Sequence, residues 1–115
     1  MIRYAKERVT SVGVKFGGPG ETWLAQLLNP DEFGNKGRLF NHNVLKPGCG
    51  LGKHRHEGEF EVYYILKGEA LYNDNGNEVT VRPGDVTICP SGEEHGILNT
   101  GRDDVEFIAL ILFAA

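Results

Sequence analysis

No stretch of the 115-residue chain approaches the ~20 consecutive apolar residues that a membrane-spanning helix needs; the most apolar segment, Phe107 to Ala115, is far shorter and reads as a buried strand. The start, MIRYAKERVTSV, lacks the apolar core of a secretory signal, so export by that route is not expected and the cytoplasm is the default location. Cysteine is scarce. Cys49 and Cys89 are the only two, far apart and without the paired spacing of a zinc or redox motif, which reads as two free thiols in a reducing compartment. Clustered positive charge is missing as well: 12 basic residues are scattered among 16 acidic ones, with no basic run beyond an isolated pair. A phosphate-backbone binder concentrates Lys and Arg on one face, so nucleic acid is not an expected partner. The length leaves room for one ordinary domain, residues 1–115, and not for separate cofactor and substrate domains.

What the chain has in plenty is glycine, 16 residues, and turn signals at short intervals: Gly17-Gly18-Pro19-Gly20, Asn35-Lys36-Gly37, Pro47-Gly48, Asp74-Asn75-Gly76-Asn77, Pro83-Gly84 and Pro90-Ser91-Gly92. Between them lie segments rich in β-branched and aromatic residues: Thr22 to Leu28, Arg38 to Leu45, Phe60 to Leu66, Ala70 to Asn73, Glu78 to Arg82, Val86 to Cys89 and Val105 to Phe113. The pattern predicts an all-β protein of seven or more strands, a sandwich or a closed barrel. Residues 69–82 form the best-defined unit, a hairpin around Asp-Asn-Gly-Asn. Helix is expected only as a turn or two, near the start and over residues 30–34.

The chemistry lies in three of the four histidines and one glutamate. His54 and His56 are two apart, so in a strand their imidazoles share a face and form a ready chelate. Glu61 is at an odd offset that would reverse its face in an unbroken strand, but Gly58 offers a turn that brings the chain back antiparallel. His95 follows the Pro90-Ser91-Gly92 turn and joins the others only through folding. An H-x-H pair alone is as often a surface or hydrogen-bonded pair. Three imidazoles and a carboxylate suit one divalent transition-metal ion, Mn, Fe, Co, Ni or Zn, and suit Ca or Mg poorly. On an octahedral ion, four protein ligands leave two positions for water, substrate or dioxygen.

Around these residues the chain reads Gly48-x5-His54-x-His56-x4-Glu61-x6-Gly68, then Gly84-x5-Pro90-x-Gly92-x2-His95-x3-Asn99. Both halves resemble the two motifs of the cupin superfamily, over roughly Arg38 to Phe113. The resemblance implies a double-stranded β-helix, a jelly-roll-like barrel over residues 38–113, with residues 1–37 adding N-terminal strands and loops, an edge strand lent to a partner among the options. It implies a metal on His54, His56, Glu61 and His95, turn roles for Gly48, Gly68, Gly84 and Gly92, and a strand-end hydrogen-bonding role for Asn99. Fold does not fix function. The expected activity is a metal-dependent enzyme acting on a small oxygen-rich molecule by dioxygenase, decarboxylase, isomerase or lyase chemistry; the alternative is a noncatalytic metabolite-binding protein that carries a metal.

Alternation from Glu61 sends Tyr63 and Ile65 inward and Val62, Tyr64 and Leu66 outward. The strand from Val105 to Phe113 is apolar at nearly every position, as expected of a strand covered on both faces. An apolar outer face needs a cover, and small cupins often dimerise, so a homodimer is expected. Three residues are candidates for chemistry beyond the metal. Tyr63 either donates its hydroxyl to a bound substrate or is an amphipathic core residue. Glu59, in the turn with Glu57, is either an acid/base at the pocket mouth or a solvated loop carboxylate. His42, flanked by Asn41 and Asn43, is either a pocket base or a hydrogen-bonded histidine.

Overall fold

The computed structural model describes all 115 residues and contains ten strands and two short 3-10 turns. The strands are β1 (Thr10–Gly13), β2 (Thr22–Gln26), β3 (Gly37–Leu45), β4 (Gly50–Arg55), β5 (Glu59–Lys67), β6 (Ala70–Asp74), β7 (Asn77–Val81), β8 (Val86–Cys89), β9 (Glu94–Leu98) and β10 (Val105–Phe113). A six-stranded sheet in the order β1-β2-β3-β10-β5-β8 faces a four-stranded sheet in the order β4-β9-β6-β7, with every pairing antiparallel. The turn spacing predicts a sandwich or barrel, and the motif resemblance implies this jelly-roll-like arrangement. The 3-10 turns fall at Ala5–Glu7 and Pro30–Glu32, where the little expected helix was placed. No helix is long and apolar enough to cross a membrane.

The hairpin of β6 and β7 turns on Asn75 and Gly76, both at positive φ, with Asp74 opposite Asn77. Such a two-residue turn matches the right-handed twist of its strands and needs residues that tolerate φ > 0. Gly48, Gly68, Gly84 and Gly92 also take positive φ, as the motif resemblance implies. At Gly68, φ is +80° and an added Cβ would strike the Asp104 carbonyl, so both backbone and packing exclude a side chain. Asn99 is buried after β9; its amide donates to the carbonyls of Leu45 at 2.9 Å and Asp103 at 2.8 Å, tying the ends of three segments together.

Between the sheets, Leu45, Leu51, Tyr63, Ile65, Ala70, Tyr72, Val81, Ile97, Val105, Phe107 and Ala109 form one apolar core. Alternation along β5 holds: Glu61, Tyr63 and Ile65 are buried and face inward, while Tyr64 and Leu66 are exposed. Along β10 the chain itself supplies only one of the two covers expected. Val105, Phe107, Ala109 and Ile111 are buried, but Glu106, Ile108, Leu110 and Leu112 alternate with them as half-buried residues, so within this chain the strand is covered on one face only. The apolar outer face is real, but no element of the same chain closes over it. The N-terminal segment contributes β1 and β2 to the edge of the chain's own six-stranded sheet; β1, short and exposed, lies outside every segment read as a strand from composition.

Phe107 is fully buried against the Tyr63 ring, 4.7 Å between centroids. Phe107→Ala should lower the unfolding free energy by about 3–5 kcal/mol through lost burial and a residual cavity. Denaturant titration checks this, and a loss under about 1 kcal/mol would mean that the core is not where these side chains put it.

Candidate metal centre

β4 and β9 run side by side with His54 directly opposite His95. Between Leu51 and His54 the register slips, leaving Gly52 and Lys53 out of the regular ladder; such bulges bend a strand and re-aim the side chains that follow. His56 lies just past β4, its backbone amide donating to the Glu93 carbonyl. Gly58, at φ +72°, then turns the chain into β5 in the other sheet, and Glu61 comes back facing the imidazoles. The structure thus brings together the four residues singled out by spacing, two imidazoles from one sheet, one from its end and a carboxylate from the other, all buried or nearly so.

The His95 Nε2 atom is 3.1 Å from both His54 Nε2 and His56 Nε2, and Glu61 Oε1 is 2.9 Å from His56 Nε2 and His95 Nε2 and 3.7 Å from His54 Nε2. The outer ring nitrogens decide what those contacts mean. His54 Nδ1 lies 2.7 Å from the Gly52 carbonyl, which can only accept, so Nδ1 carries the proton there. His56 Nδ1 lies 2.7 Å from the Glu59 carboxylate, and the same argument applies. In a neutral imidazole the proton on Nδ1 leaves a lone pair on Nε2. His95 Nδ1 faces the Tyr72 hydroxyl, which can accept; when it does, His95 Nε2 also turns a lone pair inward, and a shared cation offsets the repulsion among the three nitrogens and the carboxylate. Ligands ~2.1 Å from one ion and at right angles lie ~3.0 Å apart, so the observed edges fit a shared transition metal.

The second contact of each histidine is therefore part of the centre. Glu59, the first residue of β5, orients His56 and is itself gripped by Arg38 through two bonds of 2.7 Å. Arg38 holds the Glu59 carboxyl below the usual carboxylate range, and Glu59 in return raises Arg38. Tyr72 places its hydroxyl 2.7 Å from His95 Nδ1. Phe16 stacks flat on the His54 ring, 3.7 Å between centroids and 10° between planes. Burial alone would raise the Glu61 carboxyl, but the imidazoles of His54, His56 and His95 outweigh it and hold the group well below the ordinary range. Glu61, with Glu59 adding to it, raises His56 against the opposing effect of burial, while burial lowers His95.

The other candidates fall elsewhere. Tyr63 is fully buried, its ring stacked on His95 at 4.9 Å and its hydroxyl without a hydrogen-bond partner; burial, with the nearby Glu61 charge, pushes that hydroxyl well above the usual tyrosine range. His42 faces the opposite way. It sits on the outer side of the six-stranded sheet with Nε2 2.8 Å from Glu106, Nδ1 3.4 Å from Arg8 and its ring edge-on to Trp23. The reason is alternation: Asn41 and Asn43 point into the barrel, so the residue between them cannot.

A cavity of about 220 Å³ opens onto His56 and Glu61. Its walls include Lys15 and Phe16 from the loop before β2, Thr22, Asn41 and Asn43 from the six-stranded sheet, and apolar Leu24, Leu39, Leu51 and Ile111. The spacing of the histidines gave no sign of Lys15, Phe16 or Tyr72. Asn41 and Asn43 could have been found by extending the inward face from Leu39 and Leu45.

Comparison with known proteins is consistent with this geometry. A family model described as the cupin domain matches residues 41–111. The chain is 51% identical over 96 residues to a Thermotoga maritima protein named oxalate-binding protein, covering 84% of this chain and 79% of that one. A crystal structure from Thermotoga maritima, described as a predicted oxalate decarboxylase, superposes with a TM-score of 0.94 at 44% identity over 99% of this chain and 100% of the other. KdgF from a Halomonas species gives a TM-score of 0.77 at 18% identity, covering 97% of this chain and 94% of that one, a likeness of fold alone.

Two outcomes follow from the hydrogen bonds around the ligands. Glu59→Gln, which keeps the shape but weakens the hold on His56, should reduce metal affinity about 10- to 100-fold, measured by competition with a chelating dye; unchanged affinity would mean that Glu59 does not orient the ligand. The second concerns pH. His56 in the metal-free protein binds its proton more firmly than an unfolded histidine, so that pairing stabilises the fold below pH about 6.5 and fades as pH rises through the raised value. A metal requires the proton to leave, so its contribution grows in the opposite direction. The difference in Tm between metal-loaded and chelator-treated protein should therefore increase from about pH 5.5 to about 7.5, and a flat difference would count against histidine ligation.

Proposed function

The chain belongs to the cupin family, and from that premise we propose that it holds one divalent transition-metal ion on His54, His56, Glu61 and His95 and uses it to bind a small, oxygen-rich carboxylic acid. The observation that carries this reading is the cavity itself: a partly enclosed space of about 220 Å³ is lined both by His56 and Glu61 of the candidate metal set and by the half-buried Lys15, which has no ion-pair partner. When bound, an ion of the Mn, Fe, Co, Ni or Zn type supplies Lewis acidity toward carboxylate oxygen. The chain's own residues do the rest. Glu59 and Tyr72 fix the orientation of His56 and His95, Phe16 and Tyr63 pack flat on His54 and His95, and Leu24, Leu39, Leu51 and Ile111 keep the cavity wall dry. The name of the 51% identical relative makes oxalate the first acid to try.

Isothermal titration of the manganese-loaded protein with oxalate should show one site per chain, with the heat abolished by prior chelation. Equal heats before and after chelation, or none in either case, would sink the proposal. A second reading, an enzyme that breaks the acid down, is favoured by a set of four protein ligands, which leaves room on an octahedral ion. Carbon dioxide released from oxalate by the loaded protein, and not by a His95→Ala variant, would move the conclusion to that reading.

We also propose that two copies associate through the outer face of the six-stranded sheet. Tyr64, Leu66, Val86 and Ile88 are all exposed there, side by side on the paired strands β5 and β8, an apolar surface of the kind that marks a protein contact. The two free cysteines fit a reducing, cytoplasmic setting. Light scattering should give a mass twice the 12.7 kDa of the chain, and Ile88→Glu should yield monomer. A wild-type monomer at micromolar concentration would refute the association.

A further inference from the structure

The cavity that His56 and Glu61 line also carries polar groups that nothing in the protein satisfies. Thr22 is 1% exposed and its Oγ1 has no hydrogen-bond partner; Asn43 is 5% exposed and its Oδ1 has none either. Asn41, 6% exposed, lines the same space. They sit on neighbouring strands, with Thr22 opposite Leu45 and Leu24 opposite Asn43, so their side chains share one inward face. Buried polar atoms almost always find partners, and a row without them inside a cavity marks where a ligand or its water sits.

Charge narrows the chemistry. Two basic residues line the cavity, and Arg38 is neutralised by its two-pronged bond to Glu59, whereas Lys15 is half-buried with no acidic partner. A divalent ion beside the Glu61 carboxylate keeps one unit of positive charge, and Lys15 adds a second. A monoanion leaves one of these charges unmatched in a mostly apolar enclosure; a dianion matches both. Size permits this: about 220 Å³ holds roughly seven waters at ~30 Å³ each, enough for an acid of six heavy atoms with solvent to spare.

We propose that the cavity has a second, charge-reading end in which Lys15, with Thr22, Asn41 and Asn43, engages the part of the ligand away from the metal and so selects small dicarboxylate dianions over monocarboxylates. This rests on the carboxylate-binding reading above and adds what that reading lacks, the residues that set specificity. The strap that carries Lys15 also places Phe16 on His54 and approaches β4 so closely that a Cβ on Gly52 would collide with the Phe16 carbonyl. The backbone at Lys15 is therefore held beside β4, which keeps the base of its side chain at the cavity.

The test compares two acids that both offer the metal a carboxylate and an adjacent oxygen, oxalate with two charges and glycolate with one. Manganese content and Tm are measured first for wild type, Lys15→Met, Lys15→Gln, Thr22→Val and Asn43→Leu; Lys15 lies in a surface loop, so its variants should match wild type in both. Titration calorimetry should then show wild type favouring oxalate. Both Lys15 variants should lose about tenfold or more in oxalate affinity while glycolate affinity moves less than about threefold, and Thr22→Val or Asn43→Leu should each cost about three- to tenfold in oxalate affinity. An oxalate-to-glycolate ratio unchanged in both Lys15 variants overturns the second end and leaves the metal-dependent reading standing. A wild type that binds neither acid overturns both.

Discussion

The structure turns on the convergence of three imidazole nitrogens and one carboxylate oxygen in a space from which water is largely excluded. With the outer nitrogens of His54 and His56 committed as donors to a carbonyl and a carboxylate, their inner nitrogens present lone pairs toward His95 and Glu61. Such a crowd is unfavourable by itself. In water it would disperse; here the register of His54 against His95, the slip at Gly52 and Lys53, and the turn at Gly58 leave the side chains nowhere else to go. The cost of gathering these groups is met by β-sheet hydrogen bonds and by the core that continues from His95 through Tyr63 to Phe107.

How much of this could be read from the chain depends on how local each determinant is. Turns are local, so the β6–β7 hairpin, the motif glycines and the strand segments between them are legible from residue type. Period-two alternation is nearly as local, and it places Glu61, Tyr63 and Ile65 on one face correctly. At Val105 to Phe113 it gives less, because apolar composition reports that a face avoids water without saying whether the same chain or another supplies the cover. β1 escapes notice for a related reason: its residues are exposed, and its pairing with β2, Thr10 against Ala25 through Gly13 against Thr22, is decided by a partner strand and by no pattern of its own.

The metal centre shows the same division. His54, His56, Glu61 and His95 are legible because a chelating set would impose such a spacing on the sequence. The residues that orient them are not, since Tyr72 comes from β6, Phe16 from a loop far upstream, and each meets its histidine only after the sheets close. His42 illustrates the cost of reading a residue type without its face. With Leu39 and Leu45 inward, the rule that put Tyr63 inside also puts Asn41 and Asn43 inside and His42 out, where Glu106, Arg8 and Trp23 account for it.

The stiffness of the centre bears on what it can do. General acid/base catalysis needs a group that reaches the substrate and changes its proton readily near the working pH. Glu59 has a carboxylate beside the candidate ligand His56, but Arg38 and His56 occupy it and hold it ionised. Tyr63 keeps its proton too firmly and lies outside the cavity wall. The bonds that orient the ligands thus tie up the groups that would otherwise carry protons. On the proposed reading, the groups left to face a ligand are Lys15 and the neutral Thr22, Asn41 and Asn43, an arrangement suited to holding an anion in a fixed pose, to which a bound ion would add Lewis acidity.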